Sequence, residues 1–140
     1  MRLKMTAPEV AALLDREFPQ VSDHFTIEAL NEMHARVRLN VGEAHLRPGG
    51  TVSGPAIFAL ADVGVYMAVL GMVGPKALAV TTNCSIDFMR KPAAATDLIA
   101  ECRLLKLGRM LAVGDVLVYS EGVEAPVARA SLTYSIPPKG

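Results

Sequence analysis

The segment RPGGTVSGPAIFALAD, residues 47–62, carries one carboxylate, Asp62, eight positions beyond Gly54 and set among apolar residues. A carboxylate so placed has two chemical uses: it takes a proton from water as a general base, or it attacks an electrophilic carbon itself. Its plainer use is structural, as an aspartate satisfied by a neighbouring backbone group or hydroxyl, because an unpartnered buried charge is costly. Gly54 precedes Pro55 at the start of the apolar run, which suits the first turn of a helix. Such a turn presents unpaired backbone N–H groups and a partial positive charge, both suited to a developing oxyanion. Proline has no N–H, so in this reading Gly54 supplies the donor. In the plainer one, Ser53-Gly54-Pro55 is a well-formed helix start with the Ser53 hydroxyl as its cap.

These groups need an element that holds them. PAIFALADVGVYMAVLGMVG, residues 55–74, is apolar on every side and nearly long enough to cross a bilayer. Asp62, several glycines and the amphipathic strands around it argue against a membrane span. The expectation is one long central helix, enclosed by its own sheet or by another subunit. Upstream, TAPEVAALLDREF reads as a helix with Thr6 as N-cap, Pro8 and Glu9 in the first turn, Val10, Leu13, Leu14 and Phe18 on one face, and Pro19 as its stop. HARVRLN alternates as a half-buried strand. After Pro75 come three β-rich stretches, KALAVTTNCSIDFMRKP, TDLIAECRLLKLGRMLAVGDVLVYSEG and APVARASLTYSIPP, broken by glycine and proline turns. In the first of these, alternation puts Thr81, Asn83, Ser85 and Asp87 on one face and Val80, Thr82, Cys84, Ile86 and Phe88 on the other.

GGTVSGPAIFALADVGVYMAVL, then TTNCSIDFMRKP, then LGRMLAVGDVLV resemble, in that order, the PaaI-like acyl-CoA thioesterases of the hotdog superfamily. The likeness runs over about residues 40–136. It implies an α+β hotdog fold, an antiparallel sheet wrapped around one long helix, here with an added N-terminal helix. It implies hydrolysis of an acyl-CoA thioester to free acid and CoA without a cofactor, coenzyme A being part of the substrate. The family loop reads Asn, a few residues, then Gly-x-x-His-Gly-Gly, with the acid eight positions past the first glycine of His-Gly-Gly. Gly54 and Asp62 keep that spacing, while Arg47 stands at the family's Asn, Ser53 at its His and Pro55 at the second glycine. Thr81 falls where many relatives place a hydroxyl that holds the attacking water. Asp62, Gly54 and Thr81 are therefore the expected catalytic set. The expected substrate-binding set is Arg47, Ser53, Asn83, Arg90, Lys91, Gly108 and Arg109, whose basic members, together with Lys106, suit CoA phosphates or plain solvation equally.

Eight residues at about 1.5 Å each separate Gly54 from Asp62 by roughly 12 Å along one helix. Reacting groups must lie within about 3–3.5 Å of the carbonyl, so the donor of one helix has to meet the acid of another. A twofold dimer with antiparallel helices does this with two equivalent sites. The resemblance likewise implies dimers, often paired into tetramers. The departures at Arg47 and Ser53 keep open a protein that binds acyl-CoA with little turnover. A hydratase reading suffers from the lack of a histidine near Asp62.

At 140 residues with a formal net charge of zero, the chain is expected to form a single domain over residues 1–140 and to have no nucleic-acid partner. Cys84 and Cys102 are far apart, and His24, His34 and His45 show no metal-ligand spacing, so neither a zinc site nor a disulfide scaffold is expected. The three histidines are assigned to surface or loop positions. The N-terminal residues lack the apolar run of a secretory signal, which leaves the cytoplasm as the expected setting.

Overall fold

The computed structural model describes residues 2–76 and 78–138. Helix α1 spans Ala7–Glu17 and opens with a capping box: Glu9 N donates to Thr6 Oγ1 at 3.3 Å, and Thr6 N donates to Glu9 Oε1 at 2.9 Å. Val10, Leu13 and Leu14 are buried on one face, and the Phe18 N–H closes the helix on the Leu14 carbonyl. The strands are β1 (Phe25–Asn31), β2 (His34–Leu39), β3 (Val80–Phe88), β4 (Leu98–Leu107), β5 (Leu111–Ser120) and β6 (Ala128–Ser135). They form one antiparallel sheet in the order β1-β2-β4-β5-β6-β3.

Helix α2, Gly54–Val73, lies against the inner face of this sheet. The Ser53 hydroxyl accepts from Ala56 N at 3.3 Å as its N-cap, Pro55 sits in the first turn, and Gly74 ends it at φ 94°. Its length and hydropathy suffice for a membrane span, yet 72% of its most apolar stretch is buried inside the protein. Ala35, Val37 and Leu39 of β2, Leu98, Ala100 and Cys102 of β4, and Ala112, Val116 and Val118 of β5 point at the helix and are fully or almost fully buried. Helix and sheet approach closely at Gly64, where an added Cβ would stand 2.4 Å from Cys102 Sγ. This is the α+β hotdog architecture, and α1 covers one flank of it through contacts with β1 and α2.

Two expectations are corrected. Strict alternation fails in β3: the register slips between Thr81, opposite Tyr134, and Asn83, opposite Thr133, so that Thr82 is an extra residue. The bulge turns Thr81 to the inner face with Cys84 and Ile86, leaving Asn83, Ser85 and Asp87 exposed. His45, assigned to a surface or loop position, does lie in the loop between β2 and α2 but is buried there, 8% exposed. It is enclosed because its ring packs edge-on against His24 at 4.7 Å between centroids, while its Nδ1 accepts the Gly42 N–H at 2.8 Å. His34 remains partly exposed, with Nε2 at 2.9 Å from Glu101.

Candidate active site

Asp62 lies in the third turn of α2, half-buried, facing the end of the sheet where β3 begins and β6 ends. Its Oδ1 accepts the Thr81 hydroxyl, which the β3 bulge has aimed inward. The Tyr134 hydroxyl stands 2.9 Å from the same Oδ1 and 2.9 Å from the Asp62 backbone carbonyl. Among the described residues no donor reaches Oδ2. Burial, and then the negative charge of Asp62, push the Tyr134 phenol far above its usual range, so it stays protonated and acts as a donor. The same two causes raise the Cys84 thiol. Tyr134 stacks on Tyr66 at 6.1 Å, and Tyr66 meets Phe18 edge-on at 5.7 Å. Burial pushes the Tyr66 hydroxyl up to about 12, with Glu17 adding to the effect.

The carboxylate opens onto a cavity of about 220 Å³, walled mainly by Leu14, Phe18, Val63, Tyr66 and Val80. Apolar walls around one carboxylate that is held by two hydroxyls suit a site that takes an apolar group and carries polarity at one point. Gly54 lies elsewhere. It lines a larger hollow of about 590 Å³ with Arg47, Ile57, Phe88, Arg90 and Lys91, and the two spaces have no lining residue in common. The loop before Gly54 is a tight turn in which Gly49 and Gly50 adopt φ 100° and 81°, conformations that favour glycine. Arg47 and Thr51 close it through Arg47 N to Thr51 O at 2.9 Å. Among the described residues no acceptor meets the Gly54 N–H, whereas Ser53 is engaged twice, by its cap bond to Ala56 and by Ser53 N to the His45 carbonyl at 2.8 Å.

The structure thus groups the expected residues into two constellations at opposite ends of the sheet. Asp62 and Thr81 meet at one end, joined by Tyr134, which the sequence reading missed. Gly54, Arg47, Arg90 and Lys91 meet at the other, where Arg90 also donates to the Pro126 carbonyl at 2.7 Å. Gly108 and Arg109 form the β4–β5 turn, closed by Gly108 N to Leu111 O at 2.8 Å, and lie near the Thr81 end because Leu111 and Val80 both pair with Ser135. Asn83 faces away from Asp62. Tyr134 carried one signal in the sequence, an inward position in ASLTYSIPP, but its register against Thr81 is a property of the β3–β6 pairing.

One long helix wrapped by a six-stranded antiparallel sheet is the architecture of the hotdog class of thioesterases. The family model of the thioesterase superfamily matches residues 49–127, and the chain belongs to that superfamily as a thioester hydrolase. A proposed thioesterase of Silicibacter sp. TM1040 is 59% identical over 99% of this chain and 96% of its own, with a TM-score of 0.92. A mutant of the phenylacetic acid degradation protein PaaI from Thermus thermophilus is 28% identical over 85% of this chain and 99% of its own, at TM-score 0.72. A Streptococcus mutans protein solved bound to acetyl CoA is 25% identical over 81% of this chain and 88% of its own, at TM-score 0.70. No curated protein matches the chain at a significant level.

Proposed function

We propose that this protein hydrolyses an acyl-CoA thioester to the free acid and CoA, at a site built from two copies of the chain. The carrying observation is the separation of its two halves. The carboxylate is held by Thr81 and Tyr134 in one cavity, and Gly54, whose N–H meets no acceptor among the described residues, lines another with Arg47, Arg90 and Lys91. A twofold pairing that brings the Gly54 end of one α2 to the Asp62 end of its partner completes both sites at once.

In the general-base reading, Thr81 has committed its hydroxyl proton to Asp62 Oδ1 and accepts a hydrogen bond from water, whose second proton points to Oδ2. The water oxygen bonds to the thioester carbon as Asp62 takes its proton. The carbonyl electrons move onto oxygen against the partner's Gly54 N–H, then return as the C–S bond breaks and the CoA thiolate leaves. In the nucleophilic reading, Asp62 Oδ2 attacks the carbon itself and water resolves the anhydride. Both readings use the same residues. Arg47, Arg90 and Lys91, with Arg109 from the other end of the sheet, are suited to the CoA phosphates, and Ser53 serves by holding the start of α2. The acetyl CoA bound by the Streptococcus relative supports the choice of ligand. The chain acts as one domain, in the cytoplasm, without a cofactor or nucleic acid.

A thiol-release assay across short, medium, long and aromatic acyl-CoAs tests the activity, and absence of release from all of them refutes it. Replacement of the family's Asn and His by Arg47 and Ser53 favours one second reading, an acyl-CoA-binding protein of low turnover, which the same assay separates when run beside a binding titration. Arg90→Ala and Arg109→Ala should raise KM for acyl-CoA more than for an acyl-pantetheine. Equal effects on both substrates would remove the phosphate contacts.

A further inference from the structure

Two hollows meet at one side chain. Leu14, on the inward face of α1 and 3% exposed, lines both the cavity beside Asp62 and a second hollow of about 390 Å³ between α1 and β1. Ala11 of α1, Phe25 and Ile27 of β1 and Met67 of α2 line that second hollow. On the Asp62 side, Phe18 and Tyr66 line the cavity with Leu14, locked edge to face. Helix α1, which carries this wall, lies outside residues 49–127, the stretch that matches the superfamily model.

We propose that Leu14 sets the acyl length this protein accepts, by closing the Asp62 cavity against chains that would otherwise run on into the space between α1 and β1. The inference rests on the acyl-CoA reading and goes beyond it by assigning selectivity to a residue outside the proposed catalytic set. With the carbonyl at Asp62, a compact acyl group ends against Leu14 and Phe18. Each methylene that finds an apolar wall tightens binding by about fourfold, and a methylene with nowhere to go adds nothing. Affinity should therefore climb with chain length and then level off where the acyl end reaches Leu14. Shortening this side chain to a methyl joins the two hollows and moves the plateau outward.

The test is calorimetric titration with non-hydrolysable acyl-CoA thioethers of increasing length, run beside thiol release from the matching thioesters. In Leu14→Ala the plateau should shift outward by several carbons, with long chains gaining about tenfold or more in affinity over the wild type. Ala11→Phe added to that variant covers the second hollow and should return the plateau to its wild-type place. Leu14→Phe should shorten it, and this serves if the alanine variant does not fold. A folded Leu14 variant, either Ala or Phe, with the wild-type plateau overturns the proposal. Normal length-dependent binding without thiol release sinks the hydrolytic function and leaves the gate standing, whereas a wild-type protein that binds no thioether overturns both.

Discussion

Thr81 and Tyr134 face one another across β3 and β6 and close on the same oxygen of Asp62. The pairing exists because one extra residue in β3 rotates Thr81 inward at the register position opposite Tyr134. Asp62→Asn keeps the shape and removes the proposed base or nucleophile, so kcat should fall by about 10²–10⁴ while affinity for a non-hydrolysable acyl-CoA stays within about twofold. Wild-type kcat in that variant would make Asp62 a structural residue. Thr81→Ser should retain most activity and Thr81→Val should lose it, since only the hydroxyl is used.

Tyr134→Phe removes one of the two donors to Asp62 and leaves the ring stack on Tyr66 in place. A hydrogen bond to a charged group contributes about 1.5–3 kcal/mol, so kcat should drop by about tenfold or more with little change in KM. Steady-state kinetics at saturating substrate reads this directly.

The proposed shared site is tested by complementation. Gly54→Pro deletes the backbone donor and Asp62→Asn the acid, and each homodimer should be nearly inactive because one oxyanion donor alone carries about 10²–10³ in rate. Random re-pairing of equal amounts gives half mixed dimers, each with one intact site, so about a quarter of wild-type activity should return. Gly54→Ala is the control: it keeps the N–H, and the nearest atoms to its Cβ, in the Phe88 ring, lie at an ordinary 3.5 Å. Light scattering establishes assembly first. Assembled mixed dimers without recovered activity would return Gly54 to the role of a helix start.

His45 should make the loop before α2 acid-sensitive. Burial, and then the charge of His24, hold its imidazole below the usual 6.5. The folded protein thus favours the neutral ring, whose Nδ1 accepts from Gly42 and whose Nε2 is buried with no partner among the described residues. Because the folded value is the lower one, this contribution to stability is complete above about pH 6.5 and is lost as pH falls through the folded value. Melting temperature should decline over that window in the wild type. His45→Gln should remove the part of the decline that His45 causes, as a differential scan against pH would show.

Gly64 lies where α2 presses on β4, and Gly64→Ala drives its Cβ into Cys102 Sγ. Overpacking of this kind should cost about 1–3 kcal/mol in urea unfolding. Cys102→Ala in the same chain should recover much of the loss, because it removes the atom that clashes. Additive destabilisation by the two changes would show that the contact is not the cause.

The local elements were legible because they are written in short-range chemistry. Thr6 and Glu9 cap α1, Ser53 and Pro55 start α2, and the alternation of Ala35, Val37 and Leu39 marks the buried face of β2. The all-round hydrophobicity of α2 required an enclosing sheet, and the Gly54–Asp62 spacing already ruled out one helix serving one carbonyl. Tertiary structure decided the rest. Whether Thr81 faced Asp62 turned on a single inserted residue in a strand pairing, whereas period-two alternation, read by itself, grouped it with Asn83, Ser85 and Asp87. Tyr134 reached Asp62 through a β6–β3 register with no local signature, and His45 was buried by a loop folding against His24. Leu14 read only as one apolar position on a helix face. Its place between two hollows depends on how α1 docks on β1 and α2, a long-range packing outcome that no window of the sequence contains.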